Sequence, residues 1–333
     1  MLACSEDNLV SLEDLIEKYG TDLSGADFTD VMILPENDLD GLLLPDDYDL
    51  FQKIYDKTLR YVNMGERDYS KFNFDGVDLY GAVFHENSKL TEDPELFRKL
   101  YAKSLHETVL PCQDFSNHNF KDVDISKTVF HIHSKLPEEV DLFQDIYMKC
   151  LSCTVLPEQD YSNYIFNDVA INGTIFPCNS KIPLNSDLFQ EIYYRDLFNT
   201  VLPSGDYSHY DFKDVNLVGT VFTKDSLINN INVFQKIRDK TLRKTVLPYG
   251  DYRLFKFNDV VLDNTIFTDD SLLPEENNFL QRVVIKSFND IKFPLTFLNY
   301  IDFYNLKDID IDFDKLPLTT AKKAILFWKG LVK

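Results

Sequence analysis

A period of 46 residues governs nearly the whole chain. Leu23, Tyr69, Phe115, Tyr161, Tyr207, Tyr252 and Leu298 form a ladder of aromatic and aliphatic residues with steps of 46, 46, 46, 46, 45 and 46. Internal periods of this length mark solenoids, in which no unit buries its apolar face alone and each is completed by its neighbours. The repeat therefore constrains shape before it says anything of chemistry.

A shorter period runs inside each unit. Leu156, Tyr161, Phe166, Ile171 and Phe176 lie five residues apart, as do Leu110, Phe115, Phe120, Ile125 and Phe130, and Leu202, Tyr207, Phe212, Leu217 and Phe222. The runs from Met64 to Phe84 and from Leu247 to Phe267 keep this spacing, and a second apolar set falls at Val77, Val123, Val169, Val215 and Val260. Neither a helix nor a plain strand has a period of five. It suits a chain that turns a corner every five residues and points one side chain inward per side.

These runs resemble the pentapeptide-repeat family, whose chains wind into a right-handed, four-sided β-helix. Asp-Leu-Ser-Gly-Ala-Asp-Phe-Thr-Asp-Val at Asp22 to Val31 carries the match best, with Leu23 and Phe28 as central residues, and the resemblance covers half of each unit. The chain departs from the family two positions before the centre, usually Ala there, where it has Phe72, His118, Tyr164, Tyr210 and Phe255. Phe166-x-x-Val169-x-Ile171-x-x-Thr174-x-Phe176 also fits half of a leucine-rich repeat, although 46 residues is long for one. A β-solenoid covers both readings, and its cross-section stays open.

A helix is expected after each run. Asp49-Leu-Phe-Gln-Lys-Ile-Tyr-Asp-Lys-Thr-Leu59 recurs from Glu95, Asp141, Asp187 and Asn232, and more loosely from Asn277. Leu50, Phe51, Ile54, Tyr55 and Leu59 fall on one face at helical spacing, with an acidic or amide residue placed to cap the start. Stacked coils repeat at ~4.8 Å, whereas packed helices need roughly 8–10 Å between axes. The two layers cannot both stack straight: either the array bends, with strands on the concave side, or alternate helices stagger, and the expected fold is an α+β repeat solenoid of about seven 46-residue units, curved. Residues 1–20, with a helix from Asn8 to Tyr19, are read as an N-terminal helical cap, 21–318 as the solenoid and 319–333 as a C-terminal capping helix. Asp308, where a central residue should stand between Phe303 and Phe313, marks a degenerate last unit.

At 44% hydrophobic the chain can bury a substantial core, and it has no apolar run near 18 residues and no signal-peptide core. A cytoplasmic setting is expected, bacterial or in a host cell for a delivered effector. Met1-Leu-Ala-Cys4 is similar to the end of a lipoprotein signal, without its apolar region. Five irregularly spaced cysteines do not make a disulfide framework, which favours a reducing compartment. Cys150-Leu-Ser-Cys153 is a CxxC, but neighbouring units place Ser104 and Asp196, then Glu107 and Asn199, at its two positions, so it reads as variable surface and not as a zinc site. His131-Ile-His133 lacks a third ligand nearby. No metal, no cofactor and no membrane partner is expected. There is no GxSxG, Walker, GxGxxG or HExxH motif, and carboxylates that recur in every unit suit structure better than catalysis, so the chain is not read as an enzyme.

The formal net charge of −21, from 55 acidic and 34 basic residues, argues against direct nucleic-acid binding and asks for a protein partner with a basic surface. Part of that charge is ordered by the repeat. Asp68, Asp114, Asp160, Asp206 and Asp251 form one column; Asp122, Asp168, Asp214 and Asp259 form another. If successive coils stack, like charges lie roughly 5 Å apart and repel by on the order of 0.8 kcal/mol per neighbouring pair. Either the carboxylates accept backbone N–H groups at corners, or they present a ridge of charge like a DNA strand. Some pentapeptide-repeat proteins are acidic rods that look like duplex DNA and occupy the DNA-binding surface of gyrase, and the resemblance implies a DNA-mimic inhibitor as the alternative function. The leading expectation is a non-enzymatic protein-binding scaffold, such as a bacterial effector or phage-type inhibitor, of unread oligomeric state. Its candidate contacts are the two acidic columns and the aromatic column Phe72, His118, Tyr164, Tyr210 and Phe255, whose side chains suit interface centres where they are exposed.

Overall fold

The computed structural model describes residues 9–274, 279–285, 290–294 and 297–298. The expected C-terminal cap, the degenerate unit around Asp308 and the Met1–Cys4 segment lie outside these residues. The chain divides into two compact units, Met1–Gln159 and Asp160–Lys333.

Each unit mixes short parallel strands with a few short helices. In the first, β1 (Asn63–Gly65) pairs with β2 (Val83–Phe84). In the second, β3 (Val201–Leu202), β4 (Val221–Phe222), β5 (Val246–Leu247) and β6 (Ile266–Phe267) make a parallel sheet in chain order. Among the single parallel bridges that extend the pattern, one set alternates between two separations. Ser104 meets Asp124 and Val109 meets Val129, 20 residues apart, while Val83 meets Val109 and Val129 meets Val155, 26 apart. The second unit repeats this with Asp196 to Asn216 and Ile175 to Val201. One 46-residue period therefore holds two returns of the chain.

The strands are short because five residues must also make a corner. Turns close from the Val123 N–H to the Phe120 carbonyl at 2.9 Å and from Thr128 to Ile125 at 3.1 Å, the i to i+3 bond of a β-turn. The central residue of each side points inward: Tyr69, Phe115, Tyr161, Tyr207 and Tyr252 are at most 1% exposed. Their burial satisfies the polar ends as well, since the Tyr207 and Tyr252 hydroxyls donate to the Pro203 and Pro248 carbonyls at 2.6 and 2.8 Å.

The recurring Leu-Phe-Gln segment corrects the sequence reading. It forms no eleven-residue helix. α1 (Leu12–Tyr19), opened by a capping box between Ser11 and Asp14, is the one helix longer than four residues among those described. α2 (Leu50–Lys53), α3 (Leu96–Lys99), α4 (Leu142–Asp145), α5 (Leu188–Glu191), α6 (Val233–Lys236) and α7 (Phe279–Arg282) are single turns. After the first five of these single turns the chain leaves the helix at Ile54, Leu100, Ile146, Ile192 or Ile237, with ψ between 154 and 159°. It then tightens into a 3₁₀ turn containing a left-handed residue. The apolar spacing that mimicked a helical face arises because Leu50 and Phe51 enter the core together and the chain comes back inward at Ile54 and Leu59.

The residues expected to cap these turns make no side-chain cap bond. Asp49 and Glu95 instead accept the side-chain amides of Asn73 and Asn119 at 3.0 and 2.9 Å. Glutamine does the anchoring. Gln190 Nε2 donates to the carbonyls of Asp211 and Lys213 at 2.9 and 2.8 Å, and Gln52 and Gln235 make the same double bond to Asn73 and Asp75, and to Lys256 and Asn258. The helix expected in every 46-residue unit, the ground for expecting a curved array, is a single turn from α2 to α7.

Candidate binding surfaces

The first acidic column is built from turns. In the first unit Asp68 and Asp114, and in the second Asp160, Asp206 and Asp251, accept on Oδ1 the backbone N–H two residues on, at 2.9, 2.9, 3.0, 2.9 and 3.1 Å. Asp does this in turns because its short carboxylate mimics a backbone carbonyl. The side chains of Ser70, Ser116, Ser162, Ser208 and Arg253, and then those N–H groups, hold all five carboxyls below the ordinary aspartate value, with Lys181 adding to the effect on Asp160, which falls to about 2. A depressed pKa means that this stabilisation is present above the ordinary value of 3.8 and is lost as pH falls through the folded value.

The spacing of that column is also corrected. The residue bridged to each aspartate is Lys89, Lys135, Lys181, Leu227 or Leu272, never another aspartate. Lys135 and Lys181 place their ammonium groups 3.6 and 2.9 Å from Asp114 and Asp160. The ladder partner of each aspartate is thus not the like charge that the expected repulsion at roughly 5 Å requires.

Conformation explains the second column. Asp122, Asp168, Asp214 and Asp259 are exposed and left-handed, with φ of 59, 56, 56 and 59°. Their N–H groups donate to the carbonyls of Asp145, Glu191, Lys236 and Arg282 at 2.7 to 2.9 Å. Asp is among the few L-residues that tolerate this region, and Gly76, at φ 73°, occupies the same place one period before Asp122. A glycine there shows that the corner needs the backbone and not the charge. Lys103, Arg195 and Lys240 approach Asp122, Asp214 and Asp259 at 3.5, 3.9 and 3.7 Å, exposed pairs that contribute little to stability.

Burial removes the aromatic column from the list of contacts. Phe72, His118, Tyr164, Tyr210 and Phe255 are only 4 to 8% exposed. They fill the core, where the single helical turns bring in another ring: Phe51 lies 5.3 Å from Phe72, Phe97 5.0 Å from His118, Phe189 4.9 Å from Tyr210 and Phe234 5.5 Å from Phe255. Polar members reach one carbonyl position. His118 Nε2 lies 3.1 Å from the Thr91 carbonyl oxygen, and the Tyr210 hydroxyl donates to Pro183 at 2.6 Å.

The exposed aromatics lie elsewhere. In the first unit Tyr101, Tyr147 and Met148 are 56, 51 and 77% exposed, and in the second Tyr193 and Tyr194 are 47 and 72% exposed. Tyr55, Tyr101, Tyr147 and Tyr193 recur at 46 residues, a signal hidden by assigning Tyr55 to a helical face. A left-handed residue follows each of them, and three of the four rings are exposed while Tyr55 is half-buried.

Cys153 sits exposed in a left-handed turn at φ 58°, and Cys150 Sγ donates to Ser152 Oγ at 3.3 Å. His131 Nδ1 accepts the His133 N–H at 3.2 Å, which is the turn role of the column aspartates. Among the described residues no three potential metal ligands cluster, and no helix is long and apolar enough to cross a membrane. In the second unit a pocket of about 260 Å³ opens beside the first column, between Asp160, Lys181, Ile182, Leu184, Gly205 and Tyr210. No protein-family model matches the chain, and no curated protein matches it.

Proposed function

We propose that each compact unit is a four-cornered β-solenoid, a divergent relative of the pentapeptide repeats, and that the chain is a non-enzymatic protein-binding scaffold working in a cytoplasm, bacterial or host. The alternation of 20- and 26-residue returns supports the first part, since 20 residues make four sides of five. The observation that carries the second is the recurring exposed tyrosine. Large aromatic side chains held in water at three of these turns, Tyr101 and Tyr147 in the first unit and Tyr193 in the second, are the raw material of an interface centre. The net charge of −21 selects a partner with a basic surface and steers its approach.

The same charge favours the DNA-mimic reading, while the lysines beside the first column and the turn role of the second weigh against a continuous ridge. Affinity capture at low and high salt separates the two. A double Tyr101→Ser, Tyr147→Ser variant, folded by circular dichroism, should lose the partner that the wild type keeps at high salt. A variant with Asn at Asp122, Asp168, Asp214 and Asp259 should keep it. Loss confined to the Asn variant, or displacement of the partner by added DNA, would overturn the scaffold reading in favour of mimicry.

A further inference from the structure

Glutamine closes one edge of the first unit in a way that the second unit leaves open. Gln113 lays its side-chain amide against Leu90: Oε1 accepts the Leu90 N–H at 2.7 Å and Nε2 donates to the Leu90 carbonyl at 3.2 Å. Gln159 does the same to Leu136, at 2.9 and 3.3 Å. In each case a carboxamide saturates both backbone groups of one residue, as a neighbouring strand would. One period on, the pair becomes Ile182 and Gly205. Glycine has no side chain to lay down, and among the described residues neither the N–H nor the carbonyl of Ile182 has a hydrogen-bond partner. The pocket of about 260 Å³ lies at this place, lined by Ile182 and Gly205.

We propose that the Gly205 pocket is a binding site for a primary carboxamide supplied from outside the chain. The ligand's carbonyl accepts the Ile182 N–H and its N–H donates to the Ile182 carbonyl, in the geometry that Gln113 shows at Leu90. The apolar stem of the ligand lies against Leu184, which is 77% exposed. A carboxylate of the same shape cannot donate and leaves the carbonyl unpaired, so the site selects amide over acid. The source is a glutamine side chain on the scaffold's partner; that attribution rests on the scaffold reading, whereas the carboxamide chemistry does not.

The isolated protein tests it without a partner. Titration with butyramide, followed by the amide resonance of Ile182, should give a saturable shift, and butyrate should bind at least roughly tenfold more weakly. The tripeptide Ala-Gln-Ala should act like butyramide and Ala-Glu-Ala like butyrate; tighter binding of the tripeptide than of butyramide assigns the site to a protein ligand, and the reverse to a small free amide. Gly205→Gln should abolish the response by supplying the missing amide in cis, and a Cβ at Gly205 meets nothing nearer than 3.7 Å. In the unliganded wild type, the Ile182 N–H should exchange with solvent at least roughly tenfold faster than those of Leu90 and Leu136. No saturable shift with butyramide, an equal response to the acids, an undiminished response in Gly205→Gln, or equal protection of the three N–H groups would overturn the proposal.

Discussion

His118 shows how one side chain can be tolerated without being the best solution. Its ring is buried, its Nδ1 has no hydrogen-bond partner, and burial first of all pushes its pKa below the ordinary 6.5. The folded state therefore resists a proton that the unfolded chain accepts. Stability from this group is full above pH 6.5 and falls as pH drops from there toward the folded value. Tyr164 and Tyr210 hold the same position, and a tyrosine leaves no second nitrogen unsatisfied. His118→Tyr should raise unfolding stability by about 1 kcal/mol at neutral pH and flatten its decline between neutral and mildly acidic pH, measured by urea denaturation. A lower stability, with the pH dependence unchanged, would show that the imidazole is accommodated better than its geometry indicates. The left-handed aspartates make the complementary case. Asp214→Gly should be close to neutral, whereas Asp214→Val should cost about 1–2 kcal/mol, because a branched side chain meets the backbone at φ 56°. Equal losses in both variants would assign the stability to the carboxylate instead.

At the scale of the element, the single helical turns are held less by their own hydrogen bonds than by the glutamine that reaches out of them. One turn is far too short to be stable alone. Gln190→Glu keeps the size of the side chain but presents only acceptors to the Asp211 and Lys213 carbonyls, so thermal or urea unfolding should show a loss of about 1–3 kcal/mol. An unchanged midpoint would leave the turn to hydrophobic burial of Leu188 and Phe189 alone. The sequence made the inward ladder legible, because five-residue spacing survives in the central side chains whatever the corners do. It hid the two-return composition of the period, though the signal was there. Thr108, Thr128, Thr154, Thr174, Thr200, Thr220, Thr245 and Thr265 each precede Val or Ile and then Leu or Phe, at steps alternating between 20 and 26 apart from one of 25. All eight are fully buried, and hydroxyls such as those of Thr128 and Thr220 donate to the Leu105 and Leu197 carbonyls at 2.7 and 2.8 Å. The helix was misjudged because two inward returns of the chain, at Ile54 and Leu59, imitate helical periodicity over a single window. The acidic columns are legible in the sequence as a spacing, but a pattern of charge cannot reveal which carboxylates are spent on their own turns.

Over a whole repeat, the alternation answers the packing problem that long helices would have posed. A helical turn at every return would bring axes to ~4.8 Å, where helices clash, whereas one at every second return sets them roughly 10 Å apart, within reach of the usual 8–10 Å contact. The period is 46 residues and not 20 because only the longer return carries a helical turn. Two deletions inside the second unit separate this account from a mere count of residues. Removing residues 170–215 takes out one full period and joins Val169 to Asn216, restoring the neighbours that Val215 has now. That variant should fold cooperatively, with a smaller denaturant m-value in proportion to the surface lost. Removing residues 197–216 takes out one 20-residue return, which deletes the carbonyl partners of Gln190 and leaves α5 and α6 on adjacent returns. Although it loses fewer residues, this second variant should fail to give a cooperative unfolding transition. If the shorter deletion proved the more stable of the two, the alternation would be incidental and each return would be an independent building block.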